Sequence, residues 1–268
     1  MSEVSGKRVL ITGAAAGMGA LMAERFAQEG AALVLVDVND AALQASAARL
    51  AQAGRTVQAF AADLAKPAEI RSLQQRVAKA CGPIDILVNN AGVVTGGLFE
   101  EIPEEKDQRM LDVNVAAVHW MTKAFLPDMK KRGEGHIVNL GSAAGFIGVP
   151  RQVVYCATKW FVIGFSEALR LELEQQGYAR IHVTVACPSY VDTGMFAGVK
   201  APLLTPLLKP GFVAGAIVQA VKDNALFVKE PFIVKTTPVL KALLPIKLFD
   251  RVADRLGVTR SMESWVGR

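Results

Sequence analysis

A chain of 268 residues, 51% apolar and 21% charged, has the material for one large hydrophobic core, and its composition excludes a disordered, collagen-like or coiled-coil protein. The formal net charge of +5 belongs to the tail: residues 199–268 hold eleven Lys/Arg against five Asp/Glu, leaving nineteen against twenty in residues 1–198. Those basic residues are spaced among Leu, Pro, Val and Phe rather than clustered with aromatics, so they describe a solvated face and no nucleic-acid partner. Cys81, Cys156 and Cys187 are odd in number and widely spaced, which argues against a disulfide framework or a metal site and for a reducing, cytoplasmic compartment.

In chain order, Lys7 and Arg8 precede fifteen uncharged residues, a superficial likeness to a signal-peptide core. Gly13, Gly17 and Gly19 break that stretch, and Glu24 and Arg25 follow it, so it reads as strand, turn and helix. A strand over 8–12, a helix running to Gly30 and a strand over 32–37 make a β-α-β unit. Apolar strand runs recur at 57–61, 84–89, 135–140 and 181–186, separated by helical patterns at 41–52, 66–80, 104–131 and 153–176. Continuous rather than alternating apolar strands require burial on both faces, and helical crossovers require parallel pairing. The expected architecture is a single α/β domain with a doubly wound, Rossmann-like parallel sheet. Its core spans about residues 4–193, with a substrate loop and C-terminal extension over about 194–268. Beyond Pro188 the pattern gives a Gly/Pro-punctuated loop, a helix over 212–223, a strand over 226–234 and an apolar-basic tail. Residues 236–257 have the composition of an interfacial amphipathic helix that Pro238 and Pro245 should break. A helix pair over the pocket or a subunit contact explains the same pattern, and a membrane surface is the less favoured partner.

In open α/β sheets, chemistry sits beyond the carboxyl ends of the strands. The first strand is followed by Thr12-Gly13-Ala14-Ala15-Ala16-Gly17-Met18-Gly19, where glycines allow a tight turn and let a pyrophosphate approach N–H groups at a helix N-terminus. Asp37, ending the second strand, is placed to accept both hydroxyls of an adenosine ribose and to repel a 2′-phosphate, which favours NAD over NADP. Asp63 and Leu64 are placed for adenine contact, although Asp63 serves equally as a helix cap. Asn89-Asn90-Ala91-Gly92 either bonds across neighbouring backbone or leaves room for a flat ring and sugar.

Tyr155 and Lys159 lie one turn apart on one helix face, where an ammonium and a cationic ring would favour the phenolate of a group that otherwise ionises near pH 10. Tyr155 could then take a proton from an alcohol or give one to a carbonyl. Ser142 and Asn114 face the same strand ends.

Taken together, Thr12-Gly-x-x-x-Gly-x-Gly19, Asn89-Asn-Ala-Gly92, Asn114, Ser142 and Tyr155-x-x-x-Lys159 resemble the short-chain dehydrogenase/reductase family over roughly residues 4–193. The resemblance implies Tyr155 as acid/base, Lys159 holding the nicotinamide ribose and lowering the tyrosine pKa, Ser142 positioning the substrate oxygen, and Asn114 anchoring a water that links Lys159 to solvent. It also implies that the segment with Pro188, Val191 and Thr193 contacts the nicotinamide carboxamide, with Ser189 where the family usually has Gly. The tail is diffusely similar to the retinol and 17β-hydroxysteroid dehydrogenase branch. Phe146, Ile147, Met195 and Phe196, beside Ser189, are expected to wall an apolar pocket for a neutral, hydrophobic alcohol or ketone, with no metal. A homo-oligomer, dimer or tetramer, is expected. The competing readings are an NADPH-type carbonyl or 3-oxoacyl-thioester reductase and a non-enzymatic NAD(H)-binding sensor or scaffold.

Overall fold

Strands built of Val, Ile, Leu and Ala runs cannot leave either face in water, and the seven strands of the described residues pair in parallel within one sheet. The structure, a computed structural model, describes residues 3–267. In chain order the strands are β1 (Arg8–Thr12), β2 (Ala32–Asp37), β3 (Val57–Ala61), β4 (Ile86–Asn89), β5 (Gly135–Leu140), β6 (Ile181–Pro188) and β7 (Phe227–Glu230), and their spatial order is β3-β2-β1-β4-β5-β6-β7. The chain winds outward from β1 to β3 and then returns to lay β4 on the other side of β1, so the switch point lies beyond the ends of β1 and β4.

Alternate residues of each strand feed two cores. Val9, Ile11, Leu33 and Leu35 pack against Met22 and Phe26 of α1 (Gly17–Gln28), Leu43 of α2 (Asp40–Gln52) and Val213 and Ile217 of α7 (Pro210–Asp223). Leu10, Val34, Leu87 and Ile137 pack against Leu73 and Val77 of α3 (Pro67–Cys81), Met121 and Phe125 of α5 (Ala117–Arg132) and Leu173 of α6 (Val153–Gln175). Each such side chain, fully buried, contributes about 1.5–3 kcal/mol.

Three expectations are corrected. The long helix over 104–131 is α4 (Glu104–Leu111), a π-helical turn over Asp112–Ala116, then α5. The strand over 226–234 stops at Glu230, because Pro231 has no N–H for the ladder and instead caps α8 (Phe232–Leu243). Pro238 does not break the tail helix but lies inside α8, where the Thr236 and Thr237 hydroxyls donate to the Ile233 carbonyl at 2.9 and 2.8 Å and hold the turn before the ring. Pro245 does separate α8 from α9 (Ile246–Arg255).

Candidate active site

A cleft of about 390 Å³ opens beyond the carboxyl ends of β1, β4, β5 and β6. At its nucleotide end, Gly13 takes φ +64° in the turn after β1, and α1 begins at Gly17 with its free N–H groups facing the cleft. Gly19 lies behind this turn rather than on the cleft wall: a Cβ there would sit 2.0 Å from the Gly13 carbonyl oxygen. It works by letting the helix approach the loop, not by touching a ligand. The Asn89–Gly92 motif proves largely architectural. Thr12 Oγ1 accepts from the Asn90 and Ala91 N–H groups at 3.0 Å each, and Asn90 Nδ2 donates to the Thr12 carbonyl at 2.8 Å. Asn90, Ala91 and Gly92 still line the cleft, together with Ala16, Gly17 and Met18.

Asp37 reaches the same space with both oxygens fixed, Oδ2 accepting from Ala15 N–H and Oδ1 from Asn39 N–H, each at 3.0 Å. Asp63 and Leu64 line an adjoining recess with Asp37, Val38 and Arg109. Asp63 does not cap α3, whose N-cap position is Lys66; its side chain accepts from Ala65 N–H at 3.2 Å in the turn before that helix, and Arg109 Nη1 donates to it at 2.8 Å. Burial opposes ionisation of Asp63, but Arg109, the Ala65 N–H and Lys66 outweigh it and hold the carboxyl below its ordinary range. Arg109 carries no motif and was not singled out in the sequence.

At the other end stand Ser142, Tyr155, Lys159, Pro188, Ser189, Val191 and Thr193, walled by Val93, Val94, Met195 and Phe196. A buried polar chain fixes α6 to the sheet: Asn89 Nδ2 donates to Asn139 Oδ1, Asn139 Nδ2 to Ser166 Oγ, and Ser166 Oγ to the Val162 carbonyl. Asn114, held in the π-turn, accepts from Val93 N–H and donates to the Val93 carbonyl, both at 2.8 Å, and to Thr158 Oγ1 at 3.2 Å. It therefore ties the loop after β4 to the helix turn between Tyr155 and Lys159. π-turns of this kind recur at functional sites.

Lys159 Nζ donates to the Leu140 carbonyl at 2.7 Å and lies 5.5 Å from the Tyr155 ring centroid. Burial lowers its pKa to about 8. Burial also drives the Tyr155 phenol above its ordinary range, with a hydrogen bond to Ser142 working the other way. Ser142 Oγ accepts from Ala144 N–H at 3.1 Å and thereby starts the short turn Ala143–Gly145.

Two expected wall residues stand elsewhere. Phe146 packs against Phe227, 6.3 Å between centroids, under Lys229, because the turn after Ser142 carries it away from the cleft. Ile147 packs in the cluster around Tyr155 and Phe196 without facing the cleft. In their place the C-terminal segment supplies support that carried no sequence signal. Tyr190 Oη shares a 2.8 Å hydrogen bond with Ser261, Trp265 Nε1 donates to the Met195 carbonyl at 3.1 Å, and Met262 is buried in the Tyr155 cluster.

The glycine-shaped cradle, the helix N-terminus, and the Asp37 anion fit an adenine dinucleotide, and the Ser142, Tyr155 and Lys159 end fits its redox ring. Fold and cleft thus define a Rossmann-like oxidoreductase. Residues 7–203 match the family described as short chain dehydrogenase. The chain is 39% identical over 269 residues to Epidermal retinol dehydrogenase 2 of Mus musculus, covering 99% of this chain and 87% of that protein. It is 36% identical over 259 residues to Estradiol 17-beta-dehydrogenase 11 of Rattus norvegicus, covering 96% and 86%. Among solved structures, a short chain dehydrogenase/reductase from Burkholderia phymatum in complex with NAD superposes with a TM-score of 0.83 at 28% identity, covering 90% of this chain and 95% of that one. A short-chain dehydrogenase from Sphingobium yanoikuyae in complex with NADPH gives 0.77 at 33%, covering 94% of each. The chain belongs to the short-chain dehydrogenase family.

Proposed function

We propose that the protein is an NAD-dependent oxidoreductase interconverting a hydrophobic secondary alcohol and its ketone, working as a homo-oligomer in the cytoplasm. The observation that carries the reading is the convergence of Tyr155, Lys159 and Ser142 on one wall of a cleft whose other end is the glycine cradle. The nicotinamide, when bound, supplies or accepts the hydride. Tyr155 moves the proton at the substrate oxygen: burial keeps its hydroxyl protonated and ready to donate to a carbonyl, and extraction from an alcohol requires added positive charge beside it. Ser142 holds that oxygen, Lys159 takes the ribose hydroxyls, and Asn114 positions the helix carrying both Tyr155 and Lys159 through Thr158.

Support for NAD comes from Asp37, a fixed anion where a 2′-phosphate would have to sit. Support for an apolar substrate comes from Val93, Val94, Met195 and Phe196, with Asp37 and Lys159 the only ionic side chains among the described residues that line the cleft. The names of two relatives, a retinol and an estradiol dehydrogenase, point the same way.

A screen of aliphatic, aromatic and steroid alcohols with NAD and NADP, read at the reduced-nicotinamide absorbance band, identifies the substrate. Tyr155→Phe is expected to lower turnover on it by roughly 10²–10⁴, with NADH affinity within severalfold of wild type. Unchanged turnover in that variant overturns the assignment.

A further inference from the structure

The tail leaves an apolar strip that none of the described residues covers. On α8, Phe232, Val239, Leu240 and Leu243 recur at i, i+7, i+8 and i+11, share one face, and stand 72, 58, 41 and 75% exposed. The rest of α8 is held to the body: Val234 is buried, and Lys241 Nζ donates to the Phe146 carbonyl at 3.1 Å and lies 4.4 Å over the Trp160 ring. After the turn at Pro245 the strip continues on α9 with Ile246, Leu248 and Val252, all exposed. Lys247, Asp250, Arg251, Asp254 and Arg255 form the polar face of α9, with Arg251 and Arg255 at its border with the strip. Residues 232–256 carry five basic side chains against two acidic ones. Among the described residues no ion pair engages Lys247, Arg251 or Arg255, while Asp254 is engaged by Arg260.

We propose that α8 and α9 form a foot that lies on an anionic lipid surface, with Phe232, Val239, Leu240, Leu243 and Ile246 entering the interface and Lys247, Arg251 and Arg255 meeting headgroups. Charge selects this occupant. A two-fold contact between copies would set this patch against itself and bring basic groups of one sign together. A lipid surface accepts apolar side chains and the flanking cations at once. The foot rests on the surface rather than spanning it, since no helix among the described residues is long and apolar enough to cross a membrane. It also adjoins the cleft, because the Leu203 N–H bonds the Leu256 carbonyl at 2.8 Å and so joins the end of α9 to the loop carrying Met195 and Phe196. The lipid contact stands apart from the proposed reaction. Only its corollary, that an apolar substrate enters from the lipid, rests on that reading.

The test is co-flotation of the full chain with vesicles of phosphatidylcholine alone or mixed equally with phosphatidylglycerol, at low and high salt. Recovery with mixed vesicles at low salt is expected, falling at high salt and on neutral vesicles. Lys247→Gln/Arg251→Gln should lower the partition coefficient roughly 25-fold, about fivefold for each charge removed. Leu243→Glu/Ile246→Glu should abolish recovery while thermal unfolding and circular dichroism stay those of wild type. No recovery of the wild type, or equal recovery of all three proteins, overturns the proposal. So does sedimentation showing that Leu243→Glu/Ile246→Glu dissociates an oligomer while the wild type ignores vesicles, an outcome that makes a second copy the occupant.

Discussion

Lys159 offers a test in which function and stability pull apart. The amine is buried, finds no carboxylate partner among the described residues, and rests on the Leu140 carbonyl. Burial lowers its pKa from 10.5 to about 8. At 1.36 kcal/mol for each pKa unit, keeping it charged in the folded chain costs about 3 kcal/mol. Between pH 8 and 10.5 the unfolded chain binds more protons at this site than the native one, so native stability rises with pH. The cost is therefore full below pH 8 and gone by pH 10.5. Lys159→Met keeps the stem and removes the charge, losing one hydrogen bond to Leu140 regardless of pH. Urea unfolding of both proteins from pH 7 to 10.5 should show the stability of the variant relative to wild type falling by about 3 kcal/mol across that range. Thiol and phenol ionisations are common to both chains and cancel in the difference. The variant should also lose turnover. A stability difference that does not move with pH refutes the argument that burial charges the fold for this amine.

Three further outcomes follow from the geometry. Asp37→Asn keeps an acceptor for Ala15 or Asn39 but removes the anion, and should shift the ratio of kcat/KM for NAD over NADP toward NADP by about tenfold, about 1.4 kcal/mol; steady-state kinetics with both cofactors checks it. Gly19→Ala would place a Cβ 2.0 Å from the Gly13 oxygen and should weaken NADH binding by more than about tenfold, measured by fluorescence titration. Phe146→Ala should destabilise the protein by about 3 kcal/mol with KM for the alcohol unchanged, whereas Phe196→Ala should raise KM; a KM effect from Phe146 would return it to the pocket wall.

Most of the sheet was legible because each strand is an apolar run closed at both ends by helix or turn chemistry. The strands β1, β2, β3 and β5 fall where the pattern places them, and β4 begins two residues late because Asp85 accepts from the Arg8 N–H with its side chain and ion-pairs with Arg132. The nucleotide cradle was legible for a related reason: its conformation is set within eight residues by glycine and a helix start. Asn114 was found, but its π-turn was not, since a change of backbone hydrogen-bond register leaves the side-chain periodicity nearly intact. Phe146 was misplaced because nearness to Ser142 in sequence says nothing about which way the turn at Ala143–Gly145 sends the chain.

The substrate end of the cleft differs in kind. Phe196 stands edge-on to Tyr155 at 6.0 Å and to Tyr190 at 5.1 Å, and the Tyr190 hydroxyl is held by Ser261, which is fully buried. The Lys200 N–H bonds the Ser261 carbonyl and the Val266 N–H the Ala197 carbonyl, so the last described turns and the substrate loop shape each other. No residue in Ser261-Met262-Glu263-Ser264-Trp265 follows a helical or strand period; Ser261 and Trp265 find their roles against Tyr190 and Met195, some seventy positions earlier, and Met262 against Gln152 and Tyr155, further back still. The position of the wall facing the phenol is thus set by contacts distant in sequence, while the Tyr155–Lys159 pair and the glycine turn are set locally. A fold built this way can keep the cleft floor of Ser142, Tyr155 and Lys159 and reshape the opposite wall by altering residues that do not line the cleft.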